Sequence, residues 1–136
     1  MEWLREEFRI ATGFDAEKLL DLLVRTVAEL RMENPAAGKD APQISMINLR
    51  NLKHAIVPVQ YAFVGGDREK RFLHVTLAAG NDTPGRSAEV RVRAAEVLGR
   101  VVDDFTAGLP GLASVTVHVL DIDRSRGYST TAERKR

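Results

Sequence analysis

Residues 72–87 read Phe-Leu-His-Val-Thr-Leu-Ala-Ala-Gly-Asn-Asp-Thr-Pro-Gly-Arg-Ser, and this stretch decides the fold. Its first part alternates apolar and polar residues as a strand does, and a glycine-rich turn follows. Ser87 is a good N-cap for the amphipathic helix that begins at Ala88. The sequence therefore predicts a strand, a turn and a helix start, with Arg86 beside the first helical turn.

An arginine at a helix start can form an anion site. Backbone N–H groups without helical partners and the positive end of the helix dipole meet there, and a guanidinium can hold a carboxylate through two hydrogen bonds. A turn, a capping serine and a solvated arginine explain the same residues without any ligand. Both interpretations remain open at this stage.

Two amphipathic helices are predicted. The first begins after the N-cap Asp15 and should end near Asn34-Pro35, because proline disfavours helix in the residue before it. The second runs from Ala88 to Thr106 and stops at Gly108 and Pro110. The expected apolar faces are Ala16, Leu19, Leu20, Leu23, Val24, Val27 and Leu30 on the first helix, and Val90, Ala94, Val97, Leu98, Val101 and Phe105 on the second.

Strand-like runs lie around these helices, at residues 44–52, 56–64, 71–78 and 114–122. Gly65-Gly66 predicts a hairpin turn between the second and third of these runs. Residues 2–11 fit either a strand or a helix start.

The order of elements predicts an internal repeat. The two N-caps, Asp15 and Ser87, lie 87 − 15 = 72 residues apart. The chain thus divides into two βαβ units, at about residues 1–65 and 66–125, followed by a tail at 126–136, all within a single domain of residues 1–136. The expected fold class is α+β: a four-stranded mixed sheet with both helices on one face. The other face should then expose valine and leucine side chains, which predicts assembly.

This pattern resembles the tautomerase superfamily, and within it the 5-carboxymethyl-2-hydroxymuconate isomerase group. Three segments carry the resemblance: Phe72 to Ser87, which is similar to the central strand and Gly-Arg-Ser turn; Asn48-Leu49-Arg50-Asn51; and Val117 to Asp123 with Tyr128 after it. The resemblance implies two βαβ units in each chain, a homotrimer built around the inner sheet faces, and an isomerase that moves a proton in a small unsaturated dicarboxylate or oxoacid. Arg50 and Arg86 would bind the carboxylates, and no cofactor or metal is implied.

The chain departs from the family at its catalytic residue. The family uses an N-terminal proline as general base, whereas Glu2 follows Met1 here and the first proline is Pro35. The amine of Met1 is the remaining candidate, since an α-amino group has an ordinary pKa of about 7.7–8.0 and is partly neutral at pH 7. The alternative is a catalytically inactive trimeric binding or structural module of the same fold.

Composition excludes several classes of function. Twenty basic and 19 acidic residues give a net charge of +1, which does not favour a nucleic-acid partner, and there is no cysteine for disulfides or thiolate chemistry. No apolar run is long enough for a membrane span, and the charged N-terminus does not resemble a secretory signal, so we expect a cytoplasmic protein. His54, His74 and His118 are isolated in sequence and show no metal-ligand spacing.

Overall fold

The computed structural model describes residues 13–35, 37, 41–47, 52–56, 65–67, 69–80 and 86–122. Within them the protein is α+β, with two helices and four strands arranged as two sheets of two strands each. The expected fold class is confirmed at this level. The strand predicted at residues 2–11, most of the one at 56–64 and the tail at 126–136 lie outside the described residues.

Helix α1 spans Ala16–Glu29, and its start is where the sequence predicts it. The Asp15 carboxylate accepts a hydrogen bond from the Lys18 backbone N–H at 3.1 Å, which satisfies one of the N–H groups that the first turn leaves without a partner. Leu19 and Val27 are buried on the predicted apolar face. Asp15 therefore acts as the predicted cap.

The predicted end of α1 near Asn34-Pro35 is wrong by about one helical turn. Leu30 is extended (φ −65°, ψ 128°), and Arg31–Met32 forms strand β1, which pairs antiparallel with β2 at Ile44–Ser45. The Leu30 carbonyl accepts from the Met46 N–H at 2.9 Å. The Leu30 carbonyl thus bonds to a backbone N–H 16 residues away instead of continuing the helix. The helix therefore ends before it reaches Pro35. The strand predicted at 44–52 is correspondingly short, since Met46 and Ile47 already form a bend.

The second half forms a βαβ unit whose bounds lie within two residues of the prediction. Strand β3 spans Arg71–Gly80, helix α2 spans Ala88–Thr106 and strand β4 spans Leu112–Ile122. The two strands pair in parallel over almost their whole length, so the connection through α2 is the crossover that a parallel pair requires. Gly111, at φ +79°, ends the turn before β4, and its carbonyl accepts from the Arg71 N–H at the start of β3.

The two faces of the β3–β4 pair differ in character. The inner face points toward the core and carries the aliphatic residues Leu73, Val75, Leu77, Ala79, Val115, Val117 and Val119. The outer face carries the exposed residues Phe72, His74, Thr76, Ala78, Ser114, Thr116, His118 and Leu120. The prediction that valines and leucines cover the outer face is therefore wrong for this pair. The alternation places every valine of these strands inward, and leaves Phe72 and Leu120 as the only large apolar side chains of the outer face.

One hydrophobic core joins the two halves. Its buried members are Val27, Leu30, Met32, Met46 and Ile47 from the first half, and Leu77, Ala79, Ala94, Leu98 and Val119 from the second. Burial of each valine, leucine, isoleucine or methionine side chain among them contributes about 1.5–3 kcal/mol. Phe14, before α1, packs edge-on against Phe105 in the last turn of α2, with ring centroids 6.1 Å apart. The start of α1 therefore lies beside the end of α2.

The buried stripe of α2 is rotated slightly from the predicted one. The buried residues are Ala94, Leu98, Val102 and Thr106, whereas Val97, Val101 and Phe105 are only partly buried. Val102 is fully buried, and Thr106 is accommodated because its hydroxyl donates to the Val102 carbonyl at 2.7 Å. A threonine whose hydroxyl is satisfied within the helix can therefore occupy a buried position outside the predicted apolar stripe.

Candidate functional site

Arg86 lies directly before α2, at the position that the sequence predicts. The next residue, Ser87, is the N-cap, and its hydroxyl accepts from the Val90 N–H at 3.3 Å. The preceding strand β3 ends at Gly80, and β4 ends at Ile122. The start of the crossover helix lies at the carboxyl ends of the two parallel strands, which is the edge where α/β units bind ligands.

The Arg86 side chain connects the two halves of the chain. Its Nε donates to the Met46 carbonyl at 2.8 Å, across 40 residues of sequence. Met46 is 1% exposed, so its carbonyl requires an internal partner. On the other side of the same residue, the Met46 N–H bonds to Leu30 as described above. Arg86 thus completes the backbone hydrogen bonding of the buried residue Met46, in addition to any role toward a ligand.

A second arginine orients the backbone of the first. The Nη1 atom of Arg91 donates to the Arg86 carbonyl at 2.8 Å, and it lies 3.6 Å from the Asp121 carboxylate near the end of β4. Arg91 and Asp121 are partly exposed, with 25% and 39% of their side-chain surfaces accessible. The helix start is therefore held to Met46, in the bend directly after β2, and to Asp121 of β4.

Sequence reasoning missed both Arg91 and Asp121. Arg91 falls on the polar side of the predicted helix, and Asp121 belongs to no recognisable catalytic or metal-binding pair in the sequence. The predicted βαβ unit could have indicated this contact. In such a unit the first turns of the helix lie beside the end of the second strand.

The other two predicted site residues, Met1 and Arg50, lie outside the described residues. Their approach to Arg86 therefore stays a prediction. Asn48 and Leu49, which accompany Arg50 in the predicted motif, also lie outside them.

Two open grooves among the described residues lie away from Arg86. A groove of about 540 Å³ is lined by one side of α2 and by β4, from Ala95 to Asp103 and at Val115 and Val117. A second, of about 320 Å³, lies at the end of α2 and the start of β4. Neither includes the carboxyl ends of the strands, so neither is the substrate cavity that the resemblance implies.

Metal-ligand clusters and membrane-spanning helices are two further features that bear on function. No group of three or more histidine, aspartate or glutamate side chains among the described residues is arranged to hold a metal ion. In the same residues, neither helix has the length and apolar character that crossing a bilayer requires.

Comparison with protein-family models, with curated proteins and with solved structures finds no match for this chain.

Proposed function

We propose that this protein is a tautomerase-like isomerase that shifts a proton in a small unsaturated dicarboxylate or oxoacid, with Arg86 binding a substrate carboxylate. The observation that carries the proposal is the position of Arg86. A half-buried guanidinium stands beside a capped helix start, at the carboxyl ends of two parallel strands. Positive charge, helix dipole and strand ends favour an anion at the same place.

The fixed orientation of the guanidinium supports this role. Arg86 is held through its Nε by Met46 and through its carbonyl by Arg91. An arginine that is already ordered loses less side-chain entropy when it binds a carboxylate, so more of the interaction energy appears as affinity. In a proton shift, the same positive charge would stabilise the enolate oxygen that forms as the proton leaves carbon.

The proposed mechanism places the second carboxylate on Arg50 and assigns the proton transfer to the Met1 amine. A neutral amine would remove a proton from one carbon of the substrate and return it to another, so no proton is consumed overall. These two assignments come from the resemblance described above. We further propose a cytoplasmic homotrimer, with the sheets' outer faces turned inward.

A second candidate is a catalytically inactive trimeric binding or structural module of the same fold. It is favoured by the bond between Arg86 and Met46, because a guanidinium that satisfies a buried carbonyl has a sufficient reason to be present without any substrate. The two candidates differ in what the loss of Arg86 should do to ligand binding.

The deciding experiment measures binding of muconate, an unsaturated dicarboxylate, by calorimetry to the native protein and to Arg86→Ala. We expect the substitution to weaken binding by about 1.5–3 kcal/mol, the range of a hydrogen bond to a charged group. Arg93→Ala is the matched control, since Arg93 is an exposed arginine on the same helix. Equal binding by all three proteins, or no binding by the native one, would contradict carboxylate binding by Arg86 and favour the inactive module.

Activity and assembly are tested separately. Phenylenolpyruvate ketonisation should be slow, because loss of a positioned general base typically costs about 10²–10⁴-fold. A variant that begins Met-Pro instead of Met-Glu should be faster. A trimer should bury well over the ~1,000 Å² of a specific interface, so sedimentation at micromolar concentration should give three times the chain mass. A stable monomer would contradict the proposed assembly.

A further inference from the structure

Two histidines that are far apart in sequence become neighbours on the outer face of the β3–β4 pair. The register pairs His74 with Thr116 and Thr76 with His118. All four side chains point to the same face, and all four are exposed. The two imidazoles therefore occupy diagonal positions of a four-residue square, and the two threonines occupy the other diagonal.

The spacing of this diagonal suits a shared metal ion. Adjacent strands lie about 4.8 Å apart and two residues along a strand span about 6.6 Å, so the two histidine Cα atoms are separated by roughly 8 Å. Long side chains reach across such a diagonal. Metal–nitrogen distances of about 2.0–2.1 Å would let one ion lie between the two imidazoles, above the plane of the sheet.

We propose that His74 and His118 form a surface site for a divalent transition-metal ion, with water completing the coordination. Neutral imidazole suits Zn²⁺, Ni²⁺ and Cu²⁺, whereas Mg²⁺ and Ca²⁺ prefer oxygen ligands. The hydroxyl groups of Thr76 and Thr116 lie beside the imidazoles and can accept hydrogen bonds from the ring N–H groups that do not face the metal. Two protein ligands are fewer than the three or four of a catalytic or structural zinc site, so the site is a binding site and an exchangeable one.

The inference is independent of the proposed isomerase activity, but it uses the face that turns inward in the proposed trimer. A trimer that binds no metal would overturn the metal site and leave the assembly standing. A monomer that binds one ion per chain would support the metal site and contradict the assembly.

The test uses untagged protein, because an affinity tag of histidines would bind the same ions. Ni²⁺ titrated by calorimetry should bind with one ion per chain. His74→Gln and His118→Gln should each weaken binding by about tenfold or more, since loss of an outer-shell partner alone typically costs 10–100-fold. His54→Gln is the matched control, because His54 is exposed and lies outside both strands; its binding should equal that of the native protein.

A second measurement needs no substitution. Paramagnetic Ni²⁺ at substoichiometric concentration should broaden the imidazole proton signals of His74 and His118 and leave those of His54 unchanged. Equal broadening of all three histidines, or native affinity in both glutamine variants, would overturn the site. Absence of one-to-one binding would overturn it as well.

Discussion

The two halves of this chain begin alike and then diverge. Each contains an N-capped amphipathic helix, yet only the second helix lies between the strands of a long parallel pair. In the described part of the first half, α1 is followed by two strands of two residues each, paired antiparallel. A similar local sequence pattern therefore leads to different strand pairings. The comparison shows that a helix start depends on nearby residues, whereas strand pairing depends on partners far along the chain.

The largest expected effect tests whether the halves share one core. Leu98→Ala on α2 should lower the free energy of unfolding by about 2–5 kcal/mol, because Leu98 is 1% exposed and its removal leaves a cavity. Urea denaturation gives the value. Since the core includes residues of both halves, signals from each half should shift together in one transition.

The control for this change is Val92→Ala on the same helix. Val92 is 58% exposed, so its truncation should alter stability by no more than about 0.5 kcal/mol. Two separate transitions in Leu98→Ala would show that the halves unfold independently.

The next largest effect concerns the hydrogen bond from Arg86 to Met46, which joins the two halves. Arg86→Ala should cost about 1.5 kcal/mol of stability, at the low end for a charged hydrogen bond because the arginine is only half-buried. The loss arises because the buried Met46 carbonyl is left without its partner. Hydrogen exchange should show faster exchange at the Met46 amide in the variant, with β3 and β4 changed less.

Arg93→Ala again serves as the comparison, and it should leave Met46 protection as in the native protein. Unchanged exchange at Met46 in Arg86→Ala would mean that another group can satisfy the carbonyl.

The two N-caps, Asp15 and Ser87, should contribute equally to the free energy of unfolding. This tests whether the two helix starts are equivalent. Asp15→Ala and Ser87→Ala each remove a side-chain acceptor for one N–H group of a first helical turn, so each should cost about 1 kcal/mol. Thermal unfolding of the pair of variants provides the measurement. A much larger cost at Ser87 than at Asp15 would indicate that Ser87 also orders the neighbouring arginine.

The smallest effect is at the ion pair near the end of β4. Asp121→Asn should cost between about 0.2 and 1 kcal/mol, since both partners are partly exposed and the nitrogen–oxygen distance is 3.6 Å. The cost should shrink further in 1 M salt, where charges are screened. A salt-independent loss above 1 kcal/mol would show that Asp121 acts mainly through something other than its charge.

Local signals predict much of this fold. Both caps, the full extent of α2 and the two long strands follow from residues within one or two turns of each element. The end of α1 could not be predicted in this way, because it depends on the hydrogen bond that the Leu30 carbonyl accepts from Met46. The proximity of His74 and His118 depends on the register of the two strands. That register could not be predicted from the residues between them.

For the candidate site, the sequence predicted the position of Arg86 but not its contacts with residues far along the chain. Arg86 stands at the helix start because Ser87 caps the helix, and that is a sequence property. Its bond to Met46 spans 40 residues, and its link through Arg91 to Asp121 depends on the parallel crossover. The resemblance to tautomerases indicates a carboxylate partner for this arginine, whereas the fold gives it a carbonyl partner.

The hydrogen bond from Arg86 to Met46 also bears on the order of events during translation. A ribosome that adds roughly 5–20 residues per second produces Arg86 about 2–8 s after Met46. Through that interval Arg86 cannot yet pair with the Met46 carbonyl, so burying the bend that follows β2 carries a cost in free energy. We therefore expect this part of the nascent first half to stay open until α2 begins to form. A chain stalled before residue 86 should be readily cleaved by protease near Met46, and one released after β4 should resist.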